Sequence, residues 1–251
     1  MLGFITSLME KVGKQEHAFL QQLALEKFVE HHHREPTPQE LKQLEVEWLQ
    51  RIETFLVDKY NDFLKASDLL IEKLPKAVPA DQWQEIKKEF SLAFNKLNTL
   101  PTSSLPEGNK NALHALLGIT MKTLRACYET GKGFFRDDKH PEASTIFSFL
   151  TYLNPYVADF WVALGLCYHK AQKYTEALEA FAKNCALDSS PFLARAKSAE
   201  IYIEQKQLNE AKREVEHLER LVASKKAEEQ NWSQIAEGLA YKIDVVAQYG
   251  G

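Results

Sequence analysis

Glycine is scarce in this chain: ten among 251 residues, with only Gly3 and Gly13 ahead of Gly108. Average usage is about 7%. Hairpins and α/β crossovers consume turn glycines, so a hundred residues nearly without them do not fold readily as a sheet. Nine prolines leave long proline-free runs between them. The three cysteines, Cys127, Cys167 and Cys185, are odd in number and lack metal-ligand spacing, which fits packing thiols in a reduced cytoplasmic compartment. There is no run of four or more basic residues, and with a formal net charge of −4 nothing draws the chain toward nucleic acid. Nor does any apolar run approach the roughly 20 residues that span a bilayer, so membrane insertion is not expected.

What is present is helical periodicity, on a chain 45% hydrophobic and 26% charged. Leu2, Ile5, Leu8, Met9 and Val12 recur at helical spacing without a basic leader, a short amphipathic helix rather than a signal peptide. Phe19, Leu20, Leu23, Leu25 and Phe28 continue the pattern up to His31, His32 and His33. Thr37, Pro38 and Glu40 read as an N-cap, first-turn proline and capping box. A long helix, or two joined near Ser67, follows to Leu74, with Pro75 and Pro79 as its stop and Asp81 as the cap of the next. That next helix presents Trp83, Ile86, Phe90, Ala93 and Leu97 on one face. The segment from Asn98 to Asn109, rich in Pro, Ser and Thr, is the expected boundary between a helical region 1–105 and a domain 106–251.

Sliding the second part on itself by 34 residues aligns Gly131, Gly165 and Ala199; Phe134, Tyr168 and Tyr202; Ala143, Ala177 and Ala211; and Phe147, Phe181 and Val215. A 34-residue period marks the tetratricopeptide helix-turn-helix solenoid. The middle copy is the fullest, with Trp161, Leu164, Gly165, Tyr168, Ala177 and Phe181, while the third has Arg195 and Ser198 in place of Trp and Leu. Small residues let the two helices approach, and the aromatics fill the wedge between them. The expected fold is all-α: three such repeats, then a capping helix across Ala227–Gln248 that buries Trp232, Ile235, Leu239, Ile243 and Val246. Residues Ala112 to Leu124 either extend the first repeat or form a helix before it.

Leu153 to Phe181, an LNPY turn followed by Phe160, Trp161, Leu164, Gly165 and Cys167, resembles the class II chaperones of type III secretion systems, which guard hydrophobic translocators. The resemblance spans about residues 120–222. It implies a cytoplasmic, non-enzymatic protein, often dimeric through N-terminal helices, with an extended client segment in a concave groove. The N-terminal region is longer here than in that family. A scaffold or assembly adaptor, docking another protein through those N-terminal helices, is the competing reading.

Groove residues follow from solenoid geometry. The second, fifth, ninth and twelfth positions of each first helix line the concave wall. These are Arg125, Tyr128, Lys132 and Phe135; then Asp159, Val162, Leu166 and His169; then Leu193, Ala196, Glu200 and Ile203. Peptide contact is expected of Tyr128, Lys132, Phe135, Asp159, Val162, Leu166, His169, Ala196 and Ile203. Tyr128, Ala163 and Leu193 stand where a carboxylate clamp needs Lys, Asn and a basic residue, which argues against that binding mode. No metal, cofactor or catalysis is expected. Three consecutive histidines point about 100° apart on a helix, Gly131-Lys132-Gly133 lacks the spaced phosphate-loop pattern, and nothing joins Cys127 to His169 beyond residue type.

Overall fold

A computed structural model of the chain describes residues 36–40, 61–62, 65–99, 112–224 and 230–249. The N-terminal amphipathic helix, the Phe19–Phe28 face, the three histidines, most of the long helix and nearly all of the 98–109 boundary lie outside these. The chain divides into two compact units, Met1–Cys127 and Tyr128–Gly251.

In the first unit, Thr37 and Glu40 form the expected capping box. The Thr37 backbone N–H donates to Glu40 Oε2 at 2.8 Å, and the Glu40 N–H donates to Thr37 Oγ1 at 3.4 Å. Helix α1 (65–77) and helix α2 (Ala80–Thr99) follow. Pro75 does not end α1 as the sequence predicted. It rides inside the last turn, closed by the Val78 N–H on the Leu74 carbonyl at 3.1 Å. Proline forfeits its own N–H bond and crowds the carbonyl four residues back, but Leu74 beside it is 1% exposed, and its packing outweighs that cost. Nor does Asp81 cap α2. The Pro79 carbonyl takes the first-turn bond from the Trp83 N–H at 2.9 Å, and Asp81 sits within the first turn, where its charge favours the helix N-terminus.

Ile86, Phe90 and Ala93 are buried along α2, and Ala66, Leu70 and Leu74 along α1. Between the two helices an apolar cleft of about 360 Å³ is lined by Leu70, Ile71, Leu74, Trp83 and Phe90. The stretch before the repeats is a separate short helix, α3 (Leu113–Leu117), closed by Gly118 at φ 78°. Glu89 of α2 then holds the start of helix α4 (Met121–Arg136), accepting from the Thr120 N–H and Oγ1, each at 2.9 Å.

From Tyr128 onward α4 belongs to the second unit, which continues as α5 (His140–Leu153), α6 (Ala158–Lys170), α7 (Tyr174–Leu187), α8 (Phe192–Glu204), α9 (Leu208–Ser224) and α10 (Gln230–Tyr249). No strand occurs among the described residues, and the all-α solenoid expected from the period is what forms. The aligned columns are the helix crossings: Ala143, Ala177, Ala199, Ala211 and Phe181 are fully buried, and Phe147 and Val215 nearly so.

The turns repeat as faithfully as the core. Asp138, Gln172 and Lys206, each 34 apart, take the left-handed conformation at φ 56°, 58° and 59°. The next N–H in each, from Lys139, Lys173 and Gln207, reaches back to the carbonyl of Phe134, Tyr168 and Tyr202 at 2.8–2.9 Å. Asn154 and Asp188, also 34 apart, each fold the return turn by accepting the N–H two residues on, of Tyr156 at 3.1 Å and Ser190 at 2.9 Å.

Inside the second repeat, buried Asn184 of α7 donates from Nδ2 to the Ala158 carbonyl at the start of α6, at 3.0 Å. Trp161 donates from Nε1 to the Pro155 carbonyl at 2.7 Å, tying the LNPY turn to α6.

Helix α10 covers the far end of the stack. Its buried face is Ala236, Leu239 and Ile243, with Trp232 stacked on Phe192 at 5.5 Å between ring centroids. Ile235, expected on that face, is 38% exposed. Its neighbour Ala236 is buried in its place, while Trp232, Leu239, Ile243 and Val246 stay on the expected face.

Candidate functional site

The first helices of successive repeats pack on one another, α6 on α8 and α8 on α10. The second helices α5, α7 and α9 show no comparable packing among the described residues. The first helices therefore crowd the inside of the curve, where their second, fifth, ninth and twelfth positions are the ones expected to line a wall.

Tyr128 is the best-buttressed member of that wall. Its ring lies 5.5 Å from the centroids of both Phe147 and Phe160, at tilted angles. Burial, then the charges of Asp159 and Glu129, push its phenol up to about 12. The ring therefore stays neutral and serves as an amphipathic plate. Lys132 sits with its Nζ 5.6 Å from that ring centroid and 3.0 Å from Glu129 Oε1. Phe135 is half-buried, its ring centroid 4.8 Å from that of His140.

On α6, Val162 and Leu166 are half-buried against Ala177, Phe181, Ala194 and Ile201, so each shows one side to the wall and anchors the other in the core. Asp159 is exposed in the first turn. His169 closes the lower end, its Nε2 3.7 Å from Glu204 Oε1 on α8 and its ring centroid 6.1 Å from that of Tyr174.

On α8 the wall changes character. Ala196 is 3% exposed, covered by the cluster in which α10 takes part, and offers no surface for a peptide to touch. Spacing within one repeat does not show what the following helix covers, which is why the sequence placed it among the contacts. Ile203 is half-buried against the same cluster, and Leu193 is 37% exposed. Glu200 pairs with Lys197 at 2.6 Å.

The thiols of Cys127 and Cys167 are pushed up to about 12 by burial, which leaves neither a thiolate to act as nucleophile at neutral pH. Among the described residues no group of three or more His, Cys, Asp or Glu side chains is arranged to hold a metal ion. No helix among them is long and apolar enough to cross a membrane.

The sequence reading missed the aromatic trio around Tyr128. The signal was there in Phe160, one residue before the repeat's tryptophan, and in Phe147 of the preceding second helix. Each is unremarkable inside its own repeat and meaningful only across two.

No family model and no curated protein matches the chain. Solved structures do. A type III secretion complex from Aeromonas hydrophila is similar at 23% identity and a TM-score of 0.50, over 55% of this chain and 89% of that one. The Yersinia enterocolitica type III secretion translocator chaperone SycD matches at 20% identity and a TM-score of 0.49, over 53% of this chain and 99% of its own. PcrH from Pseudomonas aeruginosa, in complex with the chaperone binding region of PopD, matches at 21% identity and a TM-score of 0.47, over 53% of this chain and 98% of its own. The likeness to the Aeromonas complex is one of fold.

Proposed function

We propose that this chain is a non-catalytic type III secretion chaperone, holding an extended hydrophobic segment of a translocator or effector client in the concave wall and keeping that client soluble in the cytoplasm. One observation carries the reading. Tyr128, Phe135, Val162, Leu166 and Ile203 stand half-buried on successive inner helices: Val162, Leu166 and Ile203 are packed on the core, Tyr128 is held by Phe147 and Phe160, and Phe135 lies against His140. A pre-organised apolar face of this kind costs little ordering on binding and masks client surface that would otherwise aggregate. The fold likeness to a type III secretion complex supports the same class of role.

Co-expression with candidate translocators tests it. The expected result is a soluble client that copurifies with the wild-type chain and is lost to the pellet with Val162→Glu or Leu166→Glu, while helicity by circular dichroism is retained. A client equally soluble with both variants, or never held by the wild type, would overturn the proposal.

A further inference from the structure

Leu70, Leu74 and Phe90 are 1%, 1% and 6% exposed, yet all three line the apolar cleft of about 360 Å³ between α1 and α2. A ligand reaches them only from within that cleft. Of the other apolar side chains described there, Trp83 is half-buried and only Ile71 is openly exposed, at 46%. A partner helix or a second copy of the chain laid across the mouth would find one exposed apolar anchor, far short of what a stable interface buries. A slender apolar chain that enters the cleft reaches the rest.

The polar groups lie along one edge. Lys87 and Ser91 both line the cleft from α2, one turn apart and exposed. The Lys87 ammonium stands 5.5 Å from the centroid of the Trp83 ring, and no carboxylate among the described residues is paired with it. The ring covers one side of that cation and leaves the other to take an anion. Ser91 adds a hydroxyl donor on the same edge, while Ile71, on α1, offers only hydrocarbon. Size follows from volume. At the roughly 30 Å³ that a water-sized group occupies in a liquid, the cleft holds about a dozen non-hydrogen atoms.

We infer that the α1–α2 cleft is a binding site for a medium-chain aliphatic carboxylate. The carboxylate group sits at Lys87 and Ser91, and a chain of about ten carbons runs over Leu70, Leu74 and Phe90 beneath the Ile71 rim. The site lies in the unit that precedes the repeats and is independent of the groove reading above.

Isothermal titration calorimetry of the full-length chain with hexanoate, octanoate, decanoate, dodecanoate and tetradecanoate, each below its micelle concentration, tests it. Affinity is expected to rise about fourfold for each added methylene, then to level off beyond decanoate once the cleft is full. Decanol and decyltrimethylammonium are expected to bind about fivefold more weakly than decanoate. Lys87→Gln should erase the preference for decanoate over decanol at an unchanged melting temperature, because the position is exposed. Ile71→Trp, which sets a larger side chain on the rim, should abolish binding of both. Decanoate binding that survives both variants, or affinity that climbs undiminished through tetradecanoate as for a detergent on any apolar surface, would overturn the site. So would the absence of binding by every carboxylate. A changed sedimentation coefficient with Ile71→Trp would assign the cleft to a second copy of the chain and overturn it too.

Discussion

The ring of Phe181 occupies the space that a β-carbon on Gly165 would need: the added atom would stand 2.5 Å from Cε1 and 2.7 Å from Cδ1. Phe181 is fully buried and cannot swing aside. Gly165→Ala is therefore expected to destabilise the protein by about 1–3 kcal/mol through overpacking, against a helix-propensity gain of about 1 kcal/mol. Gly238→Ala keeps the same propensity gain with no neighbour to strike, and is expected to stabilise by up to about 1 kcal/mol. Thermal melts of the two variants should move in opposite directions.

Gln172 holds a left-handed backbone at φ 58° with no glycine to ease it. An L-residue there costs roughly 1–2 kcal/mol, part of which glycine gives back as unfolded-state entropy. Gln172→Gly is expected to raise stability by about 0.5–1 kcal/mol, measured by urea denaturation with an unchanged m-value. The same substitution at Asp138 or Lys206 should act alike.

Arg195 stands where the middle repeat has Trp161, and its Nη1 reaches both Glu214 oxygens on α9, at 2.9 and 3.1 Å. The two side chains are 25% and 18% exposed. An ion pair thus joins the two helices of the third repeat. Arg195→Ala is expected to cost about 1–2 kcal/mol, because Glu214 is left partly desolvated. Replacing both residues by leucine should recover most of that loss, and a double-mutant cycle measures the coupling.

Burial raises the Cys127 and Cys167 thiols from 9.0 to about 12. A thiol-specific reagent at pH 8 is expected to label neither in the folded protein and both after denaturation. In the unfolded chain these thiols ionise near pH 9, while in the folded one they stay protonated until about 12. The unfolded state releases protons first, so the stability the thiols contribute is complete below about pH 9 and declines above it. Replacing both cysteines by alanine should flatten that alkaline decline in a denaturation series.

The crossings were legible in the sequence because packing dictates them: only a small residue fits beneath Phe147 or Phe181, and the 34-residue spacing repeats it. The left-handed turns were not, since Asp138, Gln172 and Lys206 share a backbone shape without sharing a residue type. Alanine was a blind spot as well. Ala236 shares the buried face of α10 with Leu239 and Ile243, yet it gives little periodic signal beside Ile235, which points outward. Ala196 fits the wall by position and is covered by a helix that its own repeat does not contain.

The hydrogen bond from Asn184 to the Ala158 carbonyl joins the end of the second repeat to its beginning. A solenoid unfolds by losing neighbours along one dimension, and opening can begin wherever the free-energy cost is least. The bond ties the two helices of the second repeat at their far ends, and that repeat has neighbours on both sides. The expected order of amide exchange has α10 exchanging first and the second repeat last. Repeat two then remains as a folded seed from which the stack regrows after partial opening, so that an emptied groove is rebuilt from its centre outward.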